Sequence, residues 1–202
     1  MALSTYSDLV TAIGTWIHRT DLGSVIPDFI RLAESRLQND LDIRQLDKIS
    51  TLTTTGGTNI VSLPTDFNQL RSLSLTNNGI TQVLDHMQPE LLIQRYGSQA
   101  SAVPRSYSIR GADLLIGPTA DSAYSISCSY RSTIPALTVS NTTNDVLSAY
   151  PEAYLHCALI FAGQYTRDVE LVAGMEQLYA ADVDRINSQN WGQMATMTMK
   201  TG

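Results

Sequence analysis

The chain has 202 residues, enough for one sizeable core or for one core with a small subdomain. A hydrophobic fraction of 43% and a charged fraction of 16% exclude charge-driven disorder for most of it. The formal charge of -6 argues against tight nucleic-acid binding, because affinity for phosphates comes largely from Lys and Arg releasing counterions. Cys128 and Cys157, the only cysteines, are too few for a disulfide framework and too far apart in sequence for a metal or redox pair, so two buried free thiols are expected. No run approaches the roughly 18 apolar residues of a membrane span, and the N-terminus lacks a basic region followed by an apolar one. A soluble protein made in the cytoplasm is the expectation.

The first segment, residues 1–48, reads as a helical hairpin. Leu9, Ile13, Trp16 and Ile17 recur on one helical face, and Thr5 with Asp8 forms a capping box with Asp in place of Glu. Gly23 is placed to supply a left-handed helix end. A second helix follows with Pro27 and Asp28 in its first turn and a stripe of Ile26, Ile30, Ala33, Leu37 and Leu41.

Residues 49–137 change character. The β-prone run 51–63 has Gly56-Gly57 at its middle and predicts a hairpin, closed by Pro64. Residues 70–75 alternate apolar and polar side chains, and Asn77-Asn78-Gly79 then leads into 80–84, predicting a second hairpin. Residues 88–97 read as a short helix with Pro89 just inside its start and Gly97 just past its end. Three further strands are predicted at 104–109, 113–116 and 124–131, with Ile126, Cys128 and Tyr130 on one face. Together these make a small antiparallel β-rich insertion.

Residues 138–190 return to helix after a polar loop at 138–145. One helix begins near Pro151 and buries Tyr154, Leu155, Ala158, Leu159, Ala162 and Tyr165; Arg167-Asp168 breaks it. The last helix, 169–187, carries Leu171, Met175, Leu178 and Ile186 on its apolar side. Residues 191–202 form an arm with Trp191, Met194, Met197, Met199 and Lys200. Two readings of it stand together: an aromatic and methionine anchor for a partner's groove, or a terminus folded back on its own subunit. The fold class is α+β: a four-helix bundle formed by the two terminal segments, with core residues Ile13, Trp16, Ile30, Leu37, Tyr154, Leu159 and Leu178, interrupted by the β-rich insertion.

Catalytic patterns are scarce. His18, His86 and His156 are scattered without a partner at metal-ligand spacing, and there is no nucleophile elbow, phosphate loop or dinucleotide fingerprint. No catalytic, cofactor or metal residue is assigned. Paired carboxylates are harder to exclude, since glycoside hydrolysis needs only two acids brought together by the fold, and Glu34, Asp40, Glu152 and Glu170 are available. Glu34, between Arg31 and Gln38, is expected on the surface.

Three stretches carry a family resemblance. Ile26-Pro27-Asp28-Phe29-Ile30-Arg31-Leu32-Ala33-Glu34-Ser35-Arg36-Leu37 and the residues on to Leu41 resemble the second helix of the head-to-tail adaptor proteins of tailed bacteriophages. Leu63-Pro64-Thr65-Asp66-Phe67 is similar to their Leu-Pro-x-Asp-Phe turn, and Tyr150-Pro151-Glu152-Ala153-Tyr154-Leu155 to the start of their fourth helix. The order is right over about residues 6–190. The resemblance implies a non-enzymatic virion protein at the head-to-tail interface that forms a ring, commonly a dodecamer, beneath the portal. It implies portal protein and the next tail component (nozzle, stopper or tail tube) as partners, no cofactor and no membrane. Genomic DNA would pass through the ring without sequence-specific binding, and the arm would dock on the portal. A tail-associated peptidoglycan hydrolase and a stopper or tail-completion protein are the alternatives.

Overall fold

The structure is a computed structural model that describes residues 3–19 and 21–192. The chain divides into two compact units, one spanning Met1–Leu46 with Ile134–Gly202 and the other Asp47–Thr133.

The first unit is helical. Helix α1 (Tyr6–Trp16) starts at the capping box read from the sequence: the Thr5 hydroxyl accepts from the Asp8 amide, and the Asp8 carboxylate accepts from the Thr5 amide. The turn after α1 departs from expectation, because the left-handed residue is His18, at φ 50°, and not Gly23. Helix α2 (Ile26–Asp40) opens on Pro27 and buries Ile26, Phe29, Ile30, Ala33, Glu34 and Leu37. After the second unit the chain re-enters through α4 (Asp145–Ala149), α5 (Pro151–Thr166) and α6 (Val169–Gly192).

These helices are not the four-helix bundle that the sequence pattern predicted. The α+β class holds, but six helices and two four-stranded sheets stand among the described residues. A four-helix bundle needs four helices that each show one apolar stripe to a shared axis. Helix α5 is instead buried around most of its circumference: Ala153, Tyr154, Leu155, Cys157, Ala158, Leu159, Ile160, Ala162 and Gly163 are all buried, and α1, α2, α4 and α6 pack on it. It is a central rod with helices around it. Gly163 lets α6 approach, since a Cβ there would stand 2.8 Å from a Val172 methyl carbon. Arg167 takes the left-handed conformation that reverses the chain, and the Asp168 carboxylate accepts the Leu171 amide at 3.0 Å to start α6.

The second unit holds β1 (Asp47–Thr53), β2 (Ile60–Ser62), β3 (Phe67–Asn77), β4 (Ile80–Val83), β5 (Asp85–His86), α3 (Pro89–Tyr96), β6 (Ser106–Arg110), β7 (Asp113–Gly117) and β8 (Ser125–Ser132). One sheet has the order β1-β8-β3-β4 and the other β2-β7-β6-β5. The β3–β4 hairpin turns where Asn77-Asn78-Gly79 predicted, with positive φ at Asn78 and Gly79.

The hairpin predicted around Gly56-Gly57 does not form. β1 pairs β8, β2 pairs β7, and the segment between β1 and β2 runs beside the one between β7 and β8 through Thr54 N–H to Tyr124 O and Gly57 N–H to Ala120 O. A Gly56 Cβ would stand 3.0 Å from the Asp121 carbonyl oxygen, so that glycine serves a close backbone approach. The insertion is also not purely antiparallel, since β5 pairs β6 in parallel. Apolar side chains of both sheets, among them Leu73, Leu75, Leu114, Ile116, Ile126 and Cys128, form one core.

Candidate assembly surfaces

Three of the four acids raised as catalytic alternatives, Glu34, Asp40 and Glu152, are engaged in structural bonds. Glu34 is buried, contrary to the surface position expected. Its carboxylate accepts the Leu137 amide at 2.7 Å, and one turn later the Gln38 side-chain oxygen accepts the Ile134 amide at 2.6 Å. This i, i+4 pair on α2 satisfies the backbone of the returning chain. Asn144 completes the arrangement: its carbonyl accepts the Leu147 amide, and its Nδ2 donates to the Pro135 carbonyl and to the Tyr154 hydroxyl oxygen, each at 2.8 Å. Burial raises the Glu34 pKa, opposed by the Leu137 amide. Glu152 pairs with Arg185, which also reaches Asp182, and Asp182 lies 2.8 Å from His156 Nδ1. Asp40 accepts the Tyr179 hydroxyl at 2.8 Å.

The Leu-Pro-x-Asp-Phe turn has a comparable role. Asp66 accepts the Tyr130 hydroxyl at 2.8 Å and Lys48 Nζ at 2.7 Å, and Phe67 stacks on Tyr130. One carboxylate thereby ties the start of β3 to β8 and β1, and the lysine contact holds its pKa below the usual carboxylate range. Among the described residues no group of three or more His, Cys, Asp or Glu is placed to hold a metal ion, and no helix is long and apolar enough to cross a membrane.

Of the residues assigned to the bundle core, Ile13, Ile30, Leu37, Tyr154 and Leu159 are fully buried in the helical unit. Trp16 and Leu178 are not, at 48% and 45% exposed. Trp16 is the last residue of α1, where the chain already turns toward His18. On α6 the buried positions are Met175, Tyr179 and Ile186, so the inward step from Met175 is four residues and Leu178 falls off the stripe. Helix α6 extends to Gly192, past the predicted end at 187, and takes in Trp191. The Trp191 side chain, with Met194, Met197, Met199 and Lys200, lies outside the described residues.

Exposed apolar residues occur on helices and loops, Val139 and Val169 among them, and also on sheet edges. Ile49 on β1 and Ile80 and Val83 on β4 are more than two-thirds exposed, and β1 and β4 are the two edges of their sheet. Such edges present unpaired backbone groups. The sequence pattern predicted β4 as a strand but assigned no site there.

A family model described as SU10 adaptor protein matches residues 4–201, nearly the whole chain. The chain belongs to that family. No curated protein matches it. The SU10 adaptor family is a family of bacteriophage head-to-tail adaptors, structural and not catalytic, and an adaptor associates with other head or tail components. In this member the sequence motifs that carry the resemblance, Glu34 with Gln38 on α2, the Asp66 turn and Tyr154 on α5, serve as fixings of the fold.

Proposed function

We propose that the protein forms a ring, a dodecamer, beneath the portal of a tailed bacteriophage, joining capsid to tail and continuing the DNA channel. The family match over residues 4–201 carries this reading. In it, segments 1–48 and 138–190 form the ring wall and the β-rich segment 49–137 is offered to the next tail component, whether nozzle, stopper or tail tube. The arm, 191–202, docks on the portal through Trp191, Met194, Met197, Met199 and Lys200. An acidic subunit suits a channel past which DNA slides without sticking. The subunit is made in the host cytoplasm and ends in the virion. Electron microscopy of virions and of complexes with isolated portals tests the ring: twelvefold density between portal and tail is the expected result, and density elsewhere overturns it. Deleting residues 191–202 tests the arm, and unchanged attachment to portals would rule out its docking role.

A further inference from the structure

Two clefts in the second unit share Val103 and Arg105. One, of about 380 Å³, is lined by Arg95, Tyr96, Gln99, Ala102 and Pro118 besides the shared pair. The other, of about 240 Å³, adds Asn77, Asn78, Ile80 and Gln82. They make one track from the β3–β4 turn past residues 103–105 to the end of α3.

The track is built from fixed parts. Tyr96 lies against Gly117, where a Cβ would stand only 2.5 Å from a ring carbon, and its hydroxyl is 3.3 Å from the Ser106 hydroxyl. The Arg95 guanidinium stands 5.5 Å from the Tyr96 ring centre. Gln82 donates to the Pro104 carbonyl at 2.9 Å and holds β4 to the other wall.

Both arginines are exposed, and among the described residues neither has a carboxylate at ion-pair distance. In a chain of net charge -6, two unpaired guanidinium groups in one concavity mark a site for negative charge from outside. Ala102, Val103 and Pro118 between them, and Ile80 beyond Arg105, are apolar, and the remaining polar lining is neutral, the Tyr96 phenol and the Asn and Gln amides. A nucleic-acid backbone needs a longer run of cations than two, and the acidic chain repels it at long range. Carboxylates interleaved with aliphatic side chains match both components of the lining.

We infer that this track is a docking site for an acidic, extended polypeptide segment of another protein, its carboxylates held by Arg95 and Arg105 and its apolar side chains lying on Val103 and Ile80.

A short capped peptide alternating glutamate and valine is the probe, titrated by calorimetry into the full chain, with a glutamine-for-glutamate peptide as control. The double variant R95Q/R105Q is expected to weaken binding at least about tenfold, because each guanidinium loses a charge-assisted bond. Its circular dichroism and melting should match the parent, since both side chains are exposed. Raising salt from about 0.02 to 0.15 M should weaken binding of the parent more than of the double variant. Equal binding of the glutamine peptide overturns the proposal. So does displacement of the peptide by a short DNA duplex that the same substitutions also weaken. A change in oligomeric mass on R95Q/R105Q with peptide binding intact also overturns it, in favour of a second copy as the occupant.

Discussion

A carboxyl group taken out of water is costly unless its oxygens find donors, and Glu34 shows both sides of that balance. Burial lifts its folded pKa above the 4.5 of a free glutamate, so the folded state holds that proton more tightly than the unfolded state. Its contribution to stability therefore falls as pH rises from 4.5 through the folded pKa and is least favourable at neutral pH. Glu34→Gln keeps an acceptor for the Leu137 amide without the charge. It should be at least as stable as the parent in urea at pH 7, with the advantage vanishing toward pH 4.5. Glu34→Ala orphans that amide and should cost about 1–3 kcal/mol at either pH. Asp66 has the opposite sign. Its lowered pKa gives stability present above the unfolded value of 3.8 and lost as pH falls through the folded pKa, so Asp66→Asn should destabilise at pH 7 and converge with the parent in acid. The thiols add a simpler test. Burial pushes Cys157 up to about 12 and raises Cys128 as well, so a thiol reagent at pH 8 should label neither in the native protein and both in denaturant.

Between elements, Asn187 joins α6 to the end of α2: its Oδ1 accepts the Asp42 amide and its Nδ2 donates to the Asp40 carbonyl, each at 2.9 Å. Arg36 meets Glu176 in a two-pronged pair and sits 4.5 Å from the Tyr179 ring centre. The amide clamp satisfies backbone groups at the end of α2, whereas the ion pair is partly exposed, so the first matters more. Asn187→Ala should cost about 1–2 kcal/mol and speed hydrogen exchange at the Asp42 amide, while a double-mutant cycle on Arg36 and Glu176 should give below about 1 kcal/mol, shrinking with salt. Elements set by local chemistry were legible in the sequence: the α1 cap at Thr5, the Asn78-Gly79 turn, Pro151 at the start of α5. Helix α4 was not predicted as a separate element because it is only five residues long, although Asn144-Asp145 at its start is an N-cap signal. The β1 partner was not legible, since a Gly-Gly turn is compatible with a hairpin and equally with a crossing between sheets. What selects β8 is a distant face, Ile126, Cys128 and Tyr130, set against Leu52.

For the whole molecule, the family was legible because it rests on the order of stripes and turns, while the helix arrangement was not. Stripes report that a helix is buried on a face, but not that α5 would be enclosed by several neighbours at once. The assembly proposed for this chain meets a further constraint, its own charge. Copies of net charge -6 brought side by side repel one another, and that repulsion is long-range and screened by salt. Apolar contacts such as those available to Ile49, Ile80 and Val83 are not weakened by screening. Self-association should therefore strengthen as ionic strength rises from about 0.01 to 0.15 M, over which the Debye length falls from about 30 to 8 Å. Sedimentation velocity across that range checks it, and the expected shift is toward larger species. Binding of an acidic segment at Arg95 and Arg105 should weaken over the same range, so the two contacts carry opposite salt signatures in one protein. A ring that dissolved as salt rose would instead be held by ion pairs between copies, and the carboxylates unpaired in the single chain, Glu170 and Asp184 among them, would be the first to substitute.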